Sequence, residues 1–255
     1  RVHTPIATRT TGFSPEGLQW RRLAAIRASL AGLKPHVVHV TGPHLWNLPL
    51  LGWCRRQGLP LVHTLHDLDP HPGTAYGRLL YGWNGLVIRQ ADHLLVHGRC
   101  YLDRLLARGL PPARITHVPL LHLFLGHTWL ETMEQLAGQV TYEPWALFFG
   151  RLEHYKGVDH LITASAMLDG QLGAGTAPQL VLAGPGSLAD RWAGALPPRI
   201  EVRDHLIGDQ EAVELFRRCG LLVLPYLDAT QSALVPAAYF FRKPVIVSRT
   251  GALPE

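Results

Sequence analysis

The feature that most limits what this chain can fold into is an alternation that runs along most of its length. Short, continuous apolar strings recur, and stretches of helical periodicity separate them. In the first half the strings are "HVVHV" (36–40), "LPLVHTLHD" (59–67), "DHLLVHG" (92–98) and "ITHVPL" (115–120). In the second half they are "WALFFG" (145–150), "QLVLAG" (179–184), "IEV" (200–202), "LLVLP" (221–225) and "PVIVS" (244–248). Helices are expected over 17–33, 48–57, 101–108, 158–168, 210–218 and 233–241. Strands that are apolar throughout are covered on both faces, and intervening helices let successive strands run parallel. The fold class that follows is α/β, with doubly wound, Rossmann-like parallel sheets.

The alternation breaks at 126–144, "GHTWLETMEQLAGQVTYEP", where a helix-like piece meets a proline before a fresh strand. Two domains are therefore expected, residues 1–140 and 141–255, facing each other across a cleft. Residues 1–15 are turn-rich, the first strand already follows a helix, and the chain stops on "TGALPE" without a closing element. Both domains read as incomplete, and the chain as a fragment of a longer one.

Composition narrows the function classes. A hydrophobic fraction of 47% with 17% charged residues is the opposite of a disordered chain. Cys54, Cys100 and Cys219 are odd in number and form no CxxC pair. They suggest neither a disulfide framework nor a zinc site, and a cytoplasmic location is expected. No apolar run approaches the roughly 20 residues of a membrane-spanning helix, and the N-terminus lacks a signal-peptide pattern. The charge is unevenly spread: 14 basic against 5 acidic side chains in 1–130, and 10 against 14 in 131–255, or +9 and −4. A basic half suits an anionic partner, such as a phosphate or the inner face of a membrane, or is simply a solvated arginine-rich surface. Aromatic residues do not interleave with the basic ones, so nucleic acid is not an expected partner.

Four strings carry chemistry. In "FFGRLEHYKG" (148–157) a strand ends at Gly150, and Arg151 and Lys156 flank a short loop before a helix. Two cations beside a helix N-terminus, with a glycine allowing close approach, suit a diphosphate, although the same pattern serves an ordinary strand-to-helix turn. In "LAGPGSLADRW" (182–192), Gly184, Gly186 and Ala189 fit the G-x-G-x-x-G/A dinucleotide pattern, with Asp204 placed like a ribose-binding acid. Against an NAD-dependent enzyme, Pro185 removes an amide from that turn, and the glycines could merely line a cleft. In "HTLHDLDPHPG" (63–73) a strand ends on His66 and Asp67, where a histidine beside a carboxylate can orient a polar substrate or relay a proton. The density of His and Asp there also permits a metal, but the spacing matches no helix-borne metal motif. In "DATQSALVPAAYFF" (228–241), Thr230, Gln231 and Ser232 precede a helix, with Ser232 as a plausible N-cap. Open amides of Ala233 and Leu234 there suit an anion, or the polar residues only cap the helix.

Taken together, "GRLEHYKGVDHLI", "LVLAGPGS", "DQEAVELFRRCGLLVLPY", "ATQSALVPAAYFFRKPVIVSRTGALPE", "KPHVVHVTGPHLWNLPLL" and "LVHTLHDLDPHPG" resemble retaining glycosyltransferases of family 4, which have the GT-B fold. The resemblance spans about residues 32–255. It implies a sugar transferred from a nucleotide-sugar donor held by the C-terminal domain, with the acceptor on the N-terminal one. It implies no metal and no resident cofactor, the nucleotide sugar being substrate. A lipid-linked or surface-polysaccharide intermediate is the expected acceptor. By position, Arg151 and Lys156 are similar to the pair that clamps the donor diphosphate, and His66, with Asp67 in support, to the histidine facing the donor sugar. Gly150 counts among the donor-binding residues, Gly184 and Gly186 become donor-side cleft wall, and residues 230–234 supply amides over the phosphates. The family commonly has two glutamates where this chain has Ala229 and Ala237, so a non-catalytic sugar-nucleotide-binding relative is the alternative.

Overall fold

The computed structural model describes residues 20–69, 77–121, 140–173, 176–188 and 196–255. The chain divides into two compact units, Arg1–Pro119 and Leu120–Glu255. Of the stretch 126–144, in which the sequence suggests a domain boundary, residues 126–139 lie outside the described residues.

Unit 1 runs α1 (Trp20–Leu33), β1 (Val38–Val40), α2 (Asn47–Arg56), β2 (Leu61–Leu65), α3 (Gly77–Gln90), β3 (His93–Val96), α4 (Arg99–Ala107) and β4 (Ile115–His117). Its sheet is parallel, in the order β1-β2-β3-β4, with Val38 beside Leu61, Val62 beside His93 and Leu94 beside Ile115. The strands lie inside the four apolar strings of the sequence, β2 and β3 trimmed at both ends and β1 and β4 at one. Helix α3 is the element that the sequence does not announce. Gly82 and Gly85 weaken its pattern, each costing about 1 kcal/mol relative to alanine. Packing overrides that cost. Val87 is fully buried, and the buried Asn84 side chain donates to the carbonyls of Asp67 at 2.7 Å and Leu68 at 3.2 Å, fastening the helix to the end of β2.

Unit 2 contains β5 (Trp145–Phe149), α5 (Val158–Leu172), β6 (Gln179–Ala183), β7 (Ile200–Arg203), α6 (Asp209–Arg218), β8 (Leu221–Leu224), α7 (Leu234–Phe240) and β9 (Val245–Val247). The parallel sheet has the order β7-β6-β5-β8-β9. Leu147, Phe148, Leu182, Leu222 and Leu224 are buried among Ile162, Phe216 and Phe241 of the helices and their ends, so the sheet is covered as its apolar strings require. The entry segment is pinned by two cations, Arg218 and Lys243. Arg218 holds Glu143 through two hydrogen bonds of 2.5 and 2.8 Å, and these bonds, more than the indole of Trp145, hold the Glu143 carboxyl at about 2. Lys243, 1% exposed, donates to the Thr141 carbonyl and lies 4.2 Å over the Tyr142 ring.

The strand order places a switch point in unit 2. Successive strands β5, β6 and β7 build outward on one side, and β8 and β9 build on the other, so β5 and β8 are neighbours. The loops leaving the carboxyl ends of β5 and β8 diverge there, which is where open α/β sheets take ligands.

Candidate functional site

The site of unit 2 starts from the backbone. Gly150 ends β5 with φ +120°, and Gly184 ends β6 with φ +143°. A Cβ on Gly184 would lie 2.2 Å from the Gly150 carbonyl oxygen, so the two strand ends pass each other only because Gly184 carries no side chain. Gly186 is less tight, a Cβ there falling 3.0 Å from Leu152 Cβ, and Leu152 N–H donates to the Pro185 carbonyl at 2.9 Å. The Gly184 amide donates to the Arg203 carbonyl at 3.0 Å, and the Gly186 amide to the Asp204 carboxylate at 2.7 Å. The amides that a dinucleotide pyrophosphate needs, and the acid that would read its ribose, are thus bonded to each other or to the sheet. This removes the geometric basis of the nicotinamide reading, whose third position, Ala189, lies outside the described residues.

The loop after β5 closes in a 3-10 turn, His154–Lys156, and then Gly157, in the left-handed region at φ +69°, leads into α5. A Cβ on Gly157 would lie 1.9 Å from the Pro225 carbonyl oxygen, so this glycine is what lets the turn press against the end of β8. The contact brings Lys156 to Tyr226. The Lys156 ammonium donates to the Tyr226 hydroxyl at 2.9 Å, and it lies 4.2 Å from the Tyr226 ring centroid and 5.5 Å from that of Tyr155. The neighbouring carboxylate, Glu153, pairs instead with Arg151 at 2.7 Å, and the Arg151 side chain is 64% exposed. Burial, reinforced by the charge of Arg151, lowers the Lys156 ammonium to about 8. Burial also pushes the Tyr226 hydroxyl well above the usual phenol range, so Lys156 rests on a neutral oxygen and two aromatic faces.

The loop after β8 supplies the other wall. Leu227 N–H donates to the Tyr155 carbonyl at 2.8 Å, and a side-chain hydrogen bond joins Ser232 to the Tyr226 hydroxyl. Ser232 Oγ accepts from the Leu234 amide at 3.3 Å, and its carbonyl accepts from the Val235 amide at 3.4 Å. Helix α7 starts one residue later than the sequence suggests, with Ala233 as its N-cap residue, and it has seven residues. The Leu234 amide expected to face an anion is therefore already engaged, and the positive charge here comes from Lys156 and Arg151. Thr230 is buried and Gln231 half-buried, and the Thr230 carbonyl accepts from the Ala252 amide at 2.9 Å. The "TGALPE" segment braces this loop, since a Cβ on Gly251 would lie 1.9 Å from the Ala229 carbonyl oxygen. Ala229 and Ala237, where the family pattern has glutamates, belong to the core of the unit, and Ala237 is 0% exposed.

In unit 1, His66 and Asp67 follow β2, as expected, and the His66 ring lies 5.1 Å from that of His97, which follows β3. Both site residues line a cavity together with Pro43, His63, Trp83 and Asn84. His63 is buried, its Nε2 lies 3.3 Å from the Asn47 side-chain nitrogen, and burial drives its imidazole down to about 4. Asp69 pairs with Arg104 at 2.5 Å, and His71 lies outside the described residues. Neither His63 nor His97 was singled out from the sequence. The available signal was a histidine inside every strand string of the first half: His39, His63, His97 and His117.

Residues 1–120 match a family described as glycosyl transferase 4-like domain, and residues 143–255 match glycosyl transferases group 1. Each half of the chain thus matches a glycosyltransferase family. No curated protein matches the chain in sequence. Solved structures share the fold of these glycosyltransferase domains at low identity. Anabaena Alr3699/HepE in complex with UDP-glucose has a TM-score of 0.63 at 16% identity, over 94% of this chain and 66% of that one. The UDP-forming alpha,alpha-trehalose-phosphate synthase of Burkholderia vietnamiensis has a TM-score of 0.59 at 14% identity, over 91% and 64%. A candidate UDP-N-acetylglucosamine 2-epimerase of Listeria monocytogenes has a TM-score of 0.56 at 16% identity, over 94% and 64%. The chain thus spans 64 to 66% of the length of these structures. Its two Rossmann-like α/β units are those of the GT-B class.

Proposed function

We propose that this glycosyltransferase moves a sugar from a nucleotide-sugar donor held by unit 2 to an acceptor taken up by unit 1, with retention and without a metal or resident cofactor. The observation that carries the reading is the Lys156 ammonium at the β5/β8 switch point, supported by a phenol and two rings while Glu153 is engaged by Arg151. A half-desolvated cation held by neutral groups favours an anion more than one already neutralised by a carboxylate. As the glycosidic bond breaks, negative charge builds on the leaving diphosphate, and Lys156 is placed to stabilise it. Arg151 joins by exchanging Glu153 for phosphate, a small cost because exposed ion pairs contribute about 1 kcal/mol or less. Residues 230–234 form the opposite wall, and in this reading His66 with Asp67 is the pair that unit 1 contributes to the reaction. The Anabaena and Burkholderia neighbours agree with a nucleotide-sugar donor by what they bind or form, UDP-glucose in one case and UDP in the other.

The acceptor in this reading is a lipid-linked or surface-polysaccharide intermediate, reached from the cytoplasmic face of an anionic membrane by the basic residues of 1–130. No helix among the described residues is long and apolar enough to cross a membrane. Loss of dependence on anionic lipid or on salt in a liposome sedimentation assay removes the membrane part of the proposal. One observation favours a second reading, a non-catalytic sugar-nucleotide binder: the core alanines at 229 and 237. A thermal-shift screen separates the cases. A ligand at about 100 times its dissociation constant stabilises by roughly 2.7 kcal/mol. Nucleoside diphosphates and their sugars should produce that shift and NAD should not. Transfer or slow donor hydrolysis then distinguishes an enzyme from a binder.

A further inference from the structure

The residue that sets the position of Lys156 is one that the sequence pattern leaves unremarked. Tyr226 lies 70 positions away in the chain, yet it makes the Lys156 hydrogen bond of 2.9 Å and presents its ring 4.2 Å from the same nitrogen. It is 3% exposed, and its own backbone is fixed, with its carbonyl accepting from Ser248 Oγ at 2.5 Å. The phenol side chain is therefore a rigid post and not a mobile surface group. Its hydroxyl reaches further, through Ser232, to the Leu234 amide at the start of α7. A continuous path, Lys156–Tyr226–Ser232–Leu234, spans the β5/β8 switch point and connects the two loops that diverge there.

We propose that Tyr226 is a positioning residue for donor binding: its hydroxyl and ring hold the Lys156 ammonium toward the diphosphate, and its bond to Ser232 ties that cation to the 230–234 loop. The inference rests on the reading of unit 2 as a nucleotide-sugar site. A lysine has four side-chain rotors, and without the post its ammonium can turn out to water or toward Glu153. Binding must then supply the ordering that Tyr226 provides beforehand. The phenol accepts a hydrogen bond without bringing a negative charge, so it orients the cation and leaves its field available to phosphate.

The test is a double-mutant cycle on the full chain, read by calorimetric titration of whichever of UDP, GDP and ADP binds the wild type. Tyr226→Phe keeps the ring and removes the hydroxyl. It should weaken binding about tenfold, the scale of one hydrogen bond to a charged group. In a Lys156→Met background the same change should have little further effect, because the residue acts through the lysine. Affinity in Tyr226→Phe should also fall away at a lower pH than in wild type, since the ammonium has lost its acceptor. Additive losses in the two backgrounds, or an unchanged pH profile, overturn the positioning role. Binding of none of the three nucleotides by the wild type overturns the donor-site reading itself and this inference with it. If Tyr226→Phe does not fold, Ser232→Ala tests the same path, with a smaller loss and the same dependence on Lys156.

Discussion

Replacing Lys156 with methionine tests the electrostatics of the site without the nucleotide. In the unfolded chain the ammonium titrates near 10.5, and in the fold burial brings it to about 8. Between these values the unfolded chain binds a proton that the folded one does not, so wild-type stability rises with pH across that window. Below about 8 both states are protonated and the full penalty is present. The difference between 10.5 and about 8 corresponds to roughly 3 kcal/mol. That figure already contains the hydrogen bond to Tyr226 and the aromatic faces, because whatever stabilises the protonated form in the fold raises its pKa. Lys156→Met should therefore be tolerated at pH 7, as stable as wild type or more so by up to about 3 kcal/mol. Its stability relative to wild type should then fall by about 2–3 kcal/mol from pH 7 to pH 10, as the lysine sheds its proton. Urea unfolding followed by tryptophan fluorescence, run in parallel on both proteins at pH 7, 8, 9 and 10, measures the difference. A difference independent of pH would refute the desolvated-cation argument. On the functional side, the same substitution should lower turnover roughly 10²-fold, as removing one stabiliser of developing negative charge does.

Two further substitutions test the backbone that builds the site and the helix that carries it. Gly157→Ala places a Cβ 1.9 Å from the Pro225 carbonyl oxygen at φ +69°. It should cost about 2–4 kcal/mol and abolish nucleotide binding, and a melting temperature unchanged from wild type would show that the β5 turn does not press on β8. Gly82→Ala and Gly85→Ala in α3 meet nothing within 4 Å among the described residues. Each should stabilise the protein by about 0.4–1 kcal/mol in thermal or urea unfolding, and a loss on either would mean that the face is packed.

The strands were legible because burial on both faces writes a continuous apolar word: eight of the nine described strands fall inside the strings named for them, and β7 runs one residue past its string, to Arg203. Their ends were not legible, because strings such as "LPLVHTLHD" run on past the last ladder bond into the loop that carries His66 and Asp67. Helix α3 was hidden by two glycines whose cost is met by tertiary contacts of Asn84 and Val87. The glycines of "LAGPGS" pointed to a dinucleotide turn because close backbone packing and phosphate cradling ask for the same residue. Only the partners of their amides, Arg203 and Asp204, distinguish the two. Lys156 could be picked out beside Gly150 and a helix start. Tyr226 could not, because what it does depends on a strand order that puts β8 against β5.

The central claim is that a nucleoside diphosphate occupies the β5/β8 switch point of unit 2. Hydrogen exchange followed by mass spectrometry, with and without a saturating nucleotide sugar, tests it most directly. The account predicts slowed exchange at 150–157 and 225–234, the segments that carry Lys156, Tyr226 and Ser232. Protection confined to 184–204, with those two segments unchanged, would contradict it.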